Sequence, residues 1–356
     1  RLSQHAHGMS VVEIRSNAGR WDLVRGSQYN RRVHVNTPVE FSGPVAGSEF
    51  VYAGAEARGT LNNCANGVTP WGTYLTCEEN FNYYFNDPGG DWKVRPEQAR
   101  YGISRNGLGY GWGNFDGRFS LASAGHSTSV NSFGWVVEVD PFAPDSKPVK
   151  RTALGRFKHE GIAIVEGSGG RIVGYMGDDQ ANDYIYKFVS DSNWQSMRVR
   201  GLSPLDHGTL YAARFDEDGS GEWLELSLKN KVIKDSGRFS SEAELLTYAR
   251  IAADIAGATP MDRPEWTAVA PNGDVYCSLT ANLVRKVADP ANPLAPNPHG
   301  HIIRWRDSGQ HTGRDFNWDI FIVAADTHGE GDERTFSGPD GLWIDPDGRL
   351  FIQTDA

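Results

Sequence analysis

The chain has 356 residues, 39% of them hydrophobic and 11% aromatic, with 41 glycines, 18 prolines and a formal net charge of −10 at pH 7. That apolar share can build a packed core, and so much turn chemistry fits many short strands better than long helices. The negative balance argues against nucleic acid and anionic membrane, which ask for a basic footprint; it is compatible with cation binding, and by itself does no more than keep a protein soluble.

Taken in chain order, short runs rich in Val, Ile, Tyr, Phe and Trp fall at residues 8–15, 134–140, 171–176, 183–189 and 301–305. Gly, Asp, Asn or Pro bound most of them, and they read as strands. One helix is predicted over residues 241–256, with Ser241 as its cap and apolar residues at helical spacing, inserted into a β scaffold. The stretch 288–300 holds four prolines and reads as an ordered surface loop, so residues 1–356 are expected to form a single domain. No run of about 18 apolar residues occurs, so neither a transmembrane helix nor membrane insertion is expected. No export signal is recognisable. The sequence opens at Arg1 as if in mid-domain and stops at Ala356 just after a strand-like run, so both natural ends are expected to lie outside it.

An internal repeat carries more information. Residues 160–175, 265–277 and 340–352 each hold a carboxylate (Glu160, Glu265, Asp340), a strand, a Gly-Gly, Asn-Gly or Asp-Gly turn and a second strand. The three acids lie 105 and 75 residues apart, which suits four-stranded propeller blades of about 40–50 residues with long insertions. In a propeller the first strand of each blade lines the central channel, so acids at those starts meet around one axial point. Like charges crowded there cannot all ionise without cations, and metal is therefore expected. Each acid taken alone could instead end in hydrogen bonds to neighbouring loops.

Three cysteines, Cys64, Cys77 and Cys277, cannot make a complete disulfide framework. A free thiol is usually a small buried hydrophobe, and the sharper alternative is a metal thiolate. The densest motif is NNCANGVTPWGTYLTCEENFNYY, residues 62–84. With His7-Gly8-Met9-Ser10, Gly155-Arg156-Phe157-Lys158-His159-Glu160-Gly161, Met176-Gly177-Asp178-Asp179, Met261-Asp262-Arg263-Pro264-Glu265-Trp266 and Ser337-Gly338-Pro339-Asp340, it resembles the PhoX family of bacterial alkaline phosphatases over nearly the whole chain, in order.

The resemblance implies an all-β, six-bladed β-propeller, incomplete here at both ends. It implies a site with two Fe3+ and up to three Ca2+, and hydrolysis of phosphomonoesters with some diesters. A small-molecule phosphoester is then the partner of a monomeric protein, periplasmic or secreted, exported by a signal not in this sequence. Cys64 matches the family's iron-ligating cysteine, and a thiolate does suit iron while carboxylates suit calcium. Glu79, Glu160 and Glu265 match metal ligands. Glu78 is the alternative to Glu79, because a one-residue slip exchanges strand faces. Asp340 heads the last repeat and is a further ligand candidate. Asp178 and Asp179 sit in a polar loop that could hold calcium or be a solvated turn. Arg263 matches the phosphate-contacting arginine; two residues before Glu265 on an extended chain it would share that residue's face, and its planar fork suits two phosphate oxygens. It could also do no more than pair with Glu265 or Asp262. Cys77 is read as structural, and His159, on the opposite face from Glu160 if this is a strand, as structural or as a support behind the ligands. The family's acidic ligands in its N-terminal blade have no counterpart here. Two rival readings are a calcium-dependent propeller lactonase or phosphotriesterase, without a thiolate, and a non-catalytic binding propeller stabilised by calcium.

Overall fold

A computed structural model of the chain describes residues 2–51, 57–123, 126, 128–325 and 335–355. The N-terminal stretch holds α1 (Leu2–Ala6), β1 (Met9–Val11), β2 (Ile14–Asn17), β3 (Arg20–Leu23) and β4 (Arg31–Val33), with β1 on β4 and β2 on β3. The strand expected over residues 8–15 is therefore two strands with different partners. Glu13 breaks the run because its N–H donates to the Asn30 side chain (2.7 Å) and its carbonyl accepts from Val24 (2.9 Å).

The first blade is an antiparallel meander of β6 (Asn63–Val68), β7 (Tyr74–Glu78), β8 (Val136–Val139) and β9 (Val149–Arg151). An extra strand, β5 (Glu40–Ser42), lies parallel on β9. Between β7 and β8 the chain makes a long excursion that includes α2 (Pro96–Arg100). The second blade is β10 (Ala163–Gly167), β11 (Arg171–Gly177), β12 (Ile185–Asn193) and β13 (Gly208–Phe215), with α3 (Trp194–Val199) between the last two. β14 (Ser220–Glu225) then joins β13 to the outer strand of the third blade. Three helices follow: α4 (Lys231–Asp235), α5 (Glu242–Thr247) and α6 (Ala249–Ala256). The third blade is β15 (Pro264–Val269), β16 (Val275–Leu279), β17 (His301–Asp307) and β18 (Asp315–Val323), and a last hairpin pairs β19 (Pro339–Ile344) with β20 (Leu350–Thr354). The inner strands β6, β10, β15 and β19 are neighbours in that order. The all-β, propeller-like architecture expected from the sequence is what the chain has, with three four-stranded meanders, the last β19–β20 hairpin and the small β1–β4 and β2–β3 pairs among the described residues.

Large side chains fill the spaces between blades. Phe157, Tyr186 and Trp135 belong to one core, and Tyr175, Trp223, Trp305 and Phe316 to the next. In the second core the buried Lys187 ammonium meets Asp307, whose carboxylate also accepts from Tyr175 (2.6 Å) and Trp223 (2.9 Å). Inner strands approach too closely for side chains at some points: a Cβ on Gly67 would lie 2.4 Å from the Ile162 carbonyl oxygen.

The helix expected over residues 241–256 is two helices broken at Tyr248. Ser241 does cap the first, accepting from the Glu244 N–H at 3.2 Å. The break has a local cause. The Leu246 carbonyl accepts from the Arg156 backbone N–H (2.9 Å) and the Thr247 carbonyl from the Tyr101 hydroxyl (3.3 Å), so neither continues the helical ladder.

Candidate metal centre

One local pattern builds the site four times. In each inner hairpin a residue two places before a candidate ligand offers its carbonyl to the N–H at the end of the second strand. Asn62 accepts from Glu79 (3.0 Å), Lys158 from Asp179 (3.2 Å), Arg263 from Thr280 (3.3 Å) and Gly338 from Asp355 (2.9 Å). Three of these acceptors are left-handed: Asn62 (φ 47°), Arg263 (φ 58°) and Gly338 (φ 63°). For Asn62 and Arg263 that conformation costs energy and persists only because the surroundings impose it. The pairing slips between Asn63 and Asn66, between Pro264 and Thr267, and between Pro339 and Leu342. Such bulges re-aim a side chain, and they fall where Cys64, Glu265 and Asp340 leave the ladder.

The result is a cluster around two adjoining points. Ligand atoms of Cys64, Glu79 and Glu160 lie within 4.8 Å of one another, as do those of Glu160, Glu265 and Asp340, so Glu160 belongs to both groups. The Cys64 thiol donates to Glu160 Oε1 at 3.0 Å. Asp179 hydrogen-bonds Glu79. Arg263 grips Asp179 with Nε (2.7 Å) and Nη2 (3.0 Å), and Nη2 also reaches Glu265 at 3.1 Å. Asp262, the other partner weighed for Arg263, is engaged instead by Arg285 and Asn297. Gly177 makes room for this crowding, since a Cβ there would sit 2.1 Å from the Glu265 carbonyl oxygen.

The electrostatics are those of acids that cannot all be charged. Burial, then Glu160 and Asp179, push the Glu79 carboxyl up to about 10. Burial raises Glu160 to about 8 against its hydrogen bond from Cys64, with Asp179 and Asp340 adding to the rise. Glu265 is held well above the usual carboxylate range by burial, Asp179 and Glu160. Burial, Asp355 and Asp179 bring Asp340 to about 6. Burial and the neighbouring Glu160 and Glu79 carboxylates likewise raise the Cys64 thiol. Asp179 is the exception: burial pushes it up, but the Arg263 guanidinium outweighs that and the net shift is down. A cation among these groups relieves the repulsion directly. The donor set fits iron and calcium together, one thiol among hard carboxylate oxygens. Asp340 Oδ1 is buried with no hydrogen-bond partner among the described residues, as an oxygen meant for a cation would be.

The structure thus gathers Cys64, Glu79, Glu160, Glu265, Asp340, Asp179 and Arg263. It does not bring Asp178 to the cluster. The Asp178 carboxylate accepts from both Nε (2.8 Å) and Nη2 of the buried Arg250 on α6 and from the Lys158 N–H (3.1 Å). Of Glu78 and Glu79 the structure brings Glu79 to the cluster, while Glu78 lies inside the first blade, bound to Lys150 Nζ (2.7 Å) and to the N–H groups of Gly134 and Trp135. Cys77 is buried and His159 packs on Phe157 with Nε2 on the Gly155 carbonyl (2.9 Å), as structural residues do. No cysteine is in a disulfide.

Two residues went unnoticed in the sequence. Lys158 stands two places before Glu160, the position Arg263 holds before Glu265; burial brings its ammonium down to about 8. Asp355 ends the last hairpin at the position of Glu79 and Asp179, and its charge acts on both Asp340 and Arg263. Aligning the residues two places before each repeated acid would have found Lys158, and aligning the ends of the second strands would have found Asp355.

A sequence model of the family described as "Alkaline phosphatase PhoX" matches residues 1–356. Among solved structures, the chain is similar to "Pseudomonas fluorescens PhoX in complex with vanadate, a transition state analogue", at 44% identity and a TM-score of 0.90 over 97% of this chain. The chain spans 65% of the length of that solved chain. No curated protein matches the sequence at a significant level.

Proposed function

The chain belongs to the PhoX alkaline phosphatase family, and on that premise we propose that it hydrolyses phosphomonoesters, with some diesters, at the axial cluster. The observation that carries the proposal is the pair of adjoining ligand groups sharing Glu160, one of which includes a thiol. Cys64, Glu79 and Glu160 would hold iron, and Glu265 and Asp340 with Asp179 nearby would complete the binding of two Fe3+ and up to three Ca2+. Bound there, the ions would supply the positive charge that a phosphoryl group needs as it is transferred. A calcium-only lactonase site has no use for Cys64 against Glu160, which favours the phosphatase over that rival.

The chain's own residues then do three things. Arg263 is held in one orientation by Asp179 and Glu265, so its guanidinium is aimed before substrate arrives. Nε and Nη2 are spent on those acids, which gives the phosphate contact to Nη1; the side chain is 34% exposed and so reachable. Lys158, buried and bonded to Gln180 (2.7 Å), adds a second cation near Glu79 and Asp179. Arg250 holds the neighbouring Asp178 inside the fold, away from the cluster. Among the gathered groups none is a serine or threonine placed for attack, and the proposal requires no protein nucleophile. A periplasmic or secreted monomer is the setting the family resemblance supports.

The test is metal analysis of the purified full-length protein, with p-nitrophenyl phosphate turnover measured with and without chelator. Iron and calcium in several equivalents, with chelator-sensitive turnover, are expected; calcium alone with no turnover would overturn the assignment. Cys64→Ala should lose both iron and turnover.

A further inference from the structure

Outside the axial cluster, the buried carboxylates are paired with one exception among the described residues. Glu78 meets Lys150, Asp183 meets Arg100, Asp262 meets Arg285, and the others likewise each reach an Arg or Lys. Asp87 is only 7% exposed and has no such cation. Its Oδ2 accepts from the Trp92 N–H (2.8 Å), but Oδ1 is buried with no hydrogen-bond partner. A carboxylate leaves water at a high cost unless it is paired, fully hydrogen-bonded or on a metal ion. Oδ1 of Asp87 has the first two of these from nothing in the described chain.

Asp87 heads the run Asp87-Pro88-Gly89-Gly90-Asp91-Trp92, in the excursion between β7 and β8. Both ends of the run are fixed. The Asp87 N–H donates to the Arg105 carbonyl (2.8 Å), the side chain of Asn86 accepts from the Gly113 N–H (2.7 Å), and Trp92 packs on the first core. Arg105 is committed elsewhere, with Nη1 on the Gly90 carbonyl (2.9 Å) and Nη2 on the Trp92 carbonyl (3.3 Å). Between the ends the chain bends over residues 88–90, with Gly90 left-handed (φ 79°), and this brings a second acid round. A Cβ on Gly89 would lie 3.9 Å from Asp87 Oδ1 and 3.6 Å from Asp91 Oδ2. Two carboxylate oxygens, one of them buried and unpartnered, thus flank a single point that glycine leaves open.

We propose that the 87–91 loop is a calcium site separate from the axial centre, with Asp87 Oδ1 and Asp91 Oδ2 as its side-chain ligands and backbone carbonyls and water completing the shell. Calcium takes hard oxygen ligands in loose geometry, and this loop offers carboxylates with no thiol or imidazole to draw iron or zinc. Two carboxylates make a weak site, with Kd about 1 mM, as in loops that take calcium where it is abundant. The role is structural. The ion neutralises the buried Asp87 charge and ties the start of the excursion to the segment that leads into α2, whose Arg100 pairs with Asp183 and Asp254.

Hydrogen exchange of the full-length, metal-loaded protein, read at residues 88–95 while Ca2+ is titrated, tests the site. At about 10 mM calcium, ten times Kd, amides that exchange through opening of the loop should slow about ten-fold. Asp87→Asn should abolish the slowing. Asp91→Asn changes an exposed side chain and so leaves folding alone; a ten-fold weaker site should cut the slowing to about two-fold. No calcium-dependent slowing at these residues in wild type overturns the site, and so does equal slowing in wild type and Asp91→Asn. Iron counted by mass spectrometry on the same samples reads the axial cluster independently. It should match wild type in Asp91→Asn, and a loss there would make the loop part of the axial centre and overturn the separate site.

Discussion

Asp178→Ala separates a structural carboxylate from a metal ligand. Asp178 and Arg250 are both fully buried and face each other through two hydrogen bonds. Removing one partner of a buried ion pair costs about 3–5 kcal/mol, because the other charge stays buried. Here Asp183 lies 3.6 Å from the Arg250 guanidinium and the Arg100 carbonyl 3.3 Å from it, so the lower end of that range, about 3 kcal/mol, is expected. A chain of 356 residues unfolds with an entropy of roughly 0.75 kcal/mol/K at the per-residue average, which converts 3 kcal/mol into a fall in Tm of about 4 °C. Calorimetry of the full-length protein, with metal counted by mass spectrometry on the same sample, checks this. The fall should be the same with and without chelator, and metal content should match wild type. A lost metal equivalent, with a Tm difference that vanishes in chelator, would refute the structural assignment and return Asp178 to the ligands.

Arg263→Lys should lower kcat/KM for p-nitrophenyl phosphate about a hundred-fold, because one ammonium cannot hold Asp179, Glu265 and phosphate together as a planar fork does; unchanged kinetics would refute the role. Gly177→Ala should weaken metal binding and cost about 1–3 kcal/mol by thermal melting, although residue 177 ligates nothing, because its Cβ would push on the Glu265 backbone 2.1 Å away; normal metal content and Tm would refute it. His301 gives a pH prediction outside the site. Burial holds its imidazole below the ordinary value, with Asp262 and Asp289 opposing and Arg285 assisting, while Nδ1 meets Asn297 (3.0 Å) and Nε2 the Ala291 carbonyl (2.9 Å). A folded value below the unfolded one, about 6.5, means stability that is present above that pH and lost as pH falls through it. The Tm advantage of wild type over His301→Gln should therefore shrink between pH 7 and pH 5, and a constant difference would refute it.

How far the sequence could be read depended on the range of the forces involved. Ser241 caps a helix through a bond three residues long, and it was legible. The helix break at Tyr248 was not, because it comes from Arg156 and Tyr101, partners 90 or more residues away from the carbonyls they engage. The acids Glu160, Glu265 and Asp340 announced themselves by repetition at the start of a strand. Asp178 and Asp179 are adjacent and chemically alike, and what separates them is Arg250, 72 residues on from Asp178. Period-two alternation alone does not assign faces where the register slips, as it does beside Cys64, Glu265 and Asp340. Lys158 and Asp355 carried a usable signal, their offset from Glu160 and Asp340, which appears only when whole hairpins are compared.

The repeated carbonyl-to-N–H closure at the axial end of each hairpin makes the residues there interchangeable. The backbone bond from Thr280 to Arg263 is made as well as the one from Asp179 to Lys158, although threonine carries no charge and aspartate does. Side-chain identity at these sockets is thus uncoupled from the folding of the hairpin. Cysteine, glutamate and aspartate occupy one ring of equivalent places, and glutamate, aspartate, threonine and aspartate the other. Which ions such a scaffold would collect, on the proposed reading, is then set by a handful of letters. Thr280→Asp is the single exchange that would make the second ring wholly acidic, and so the one that would most directly change which cations the proposed site prefers.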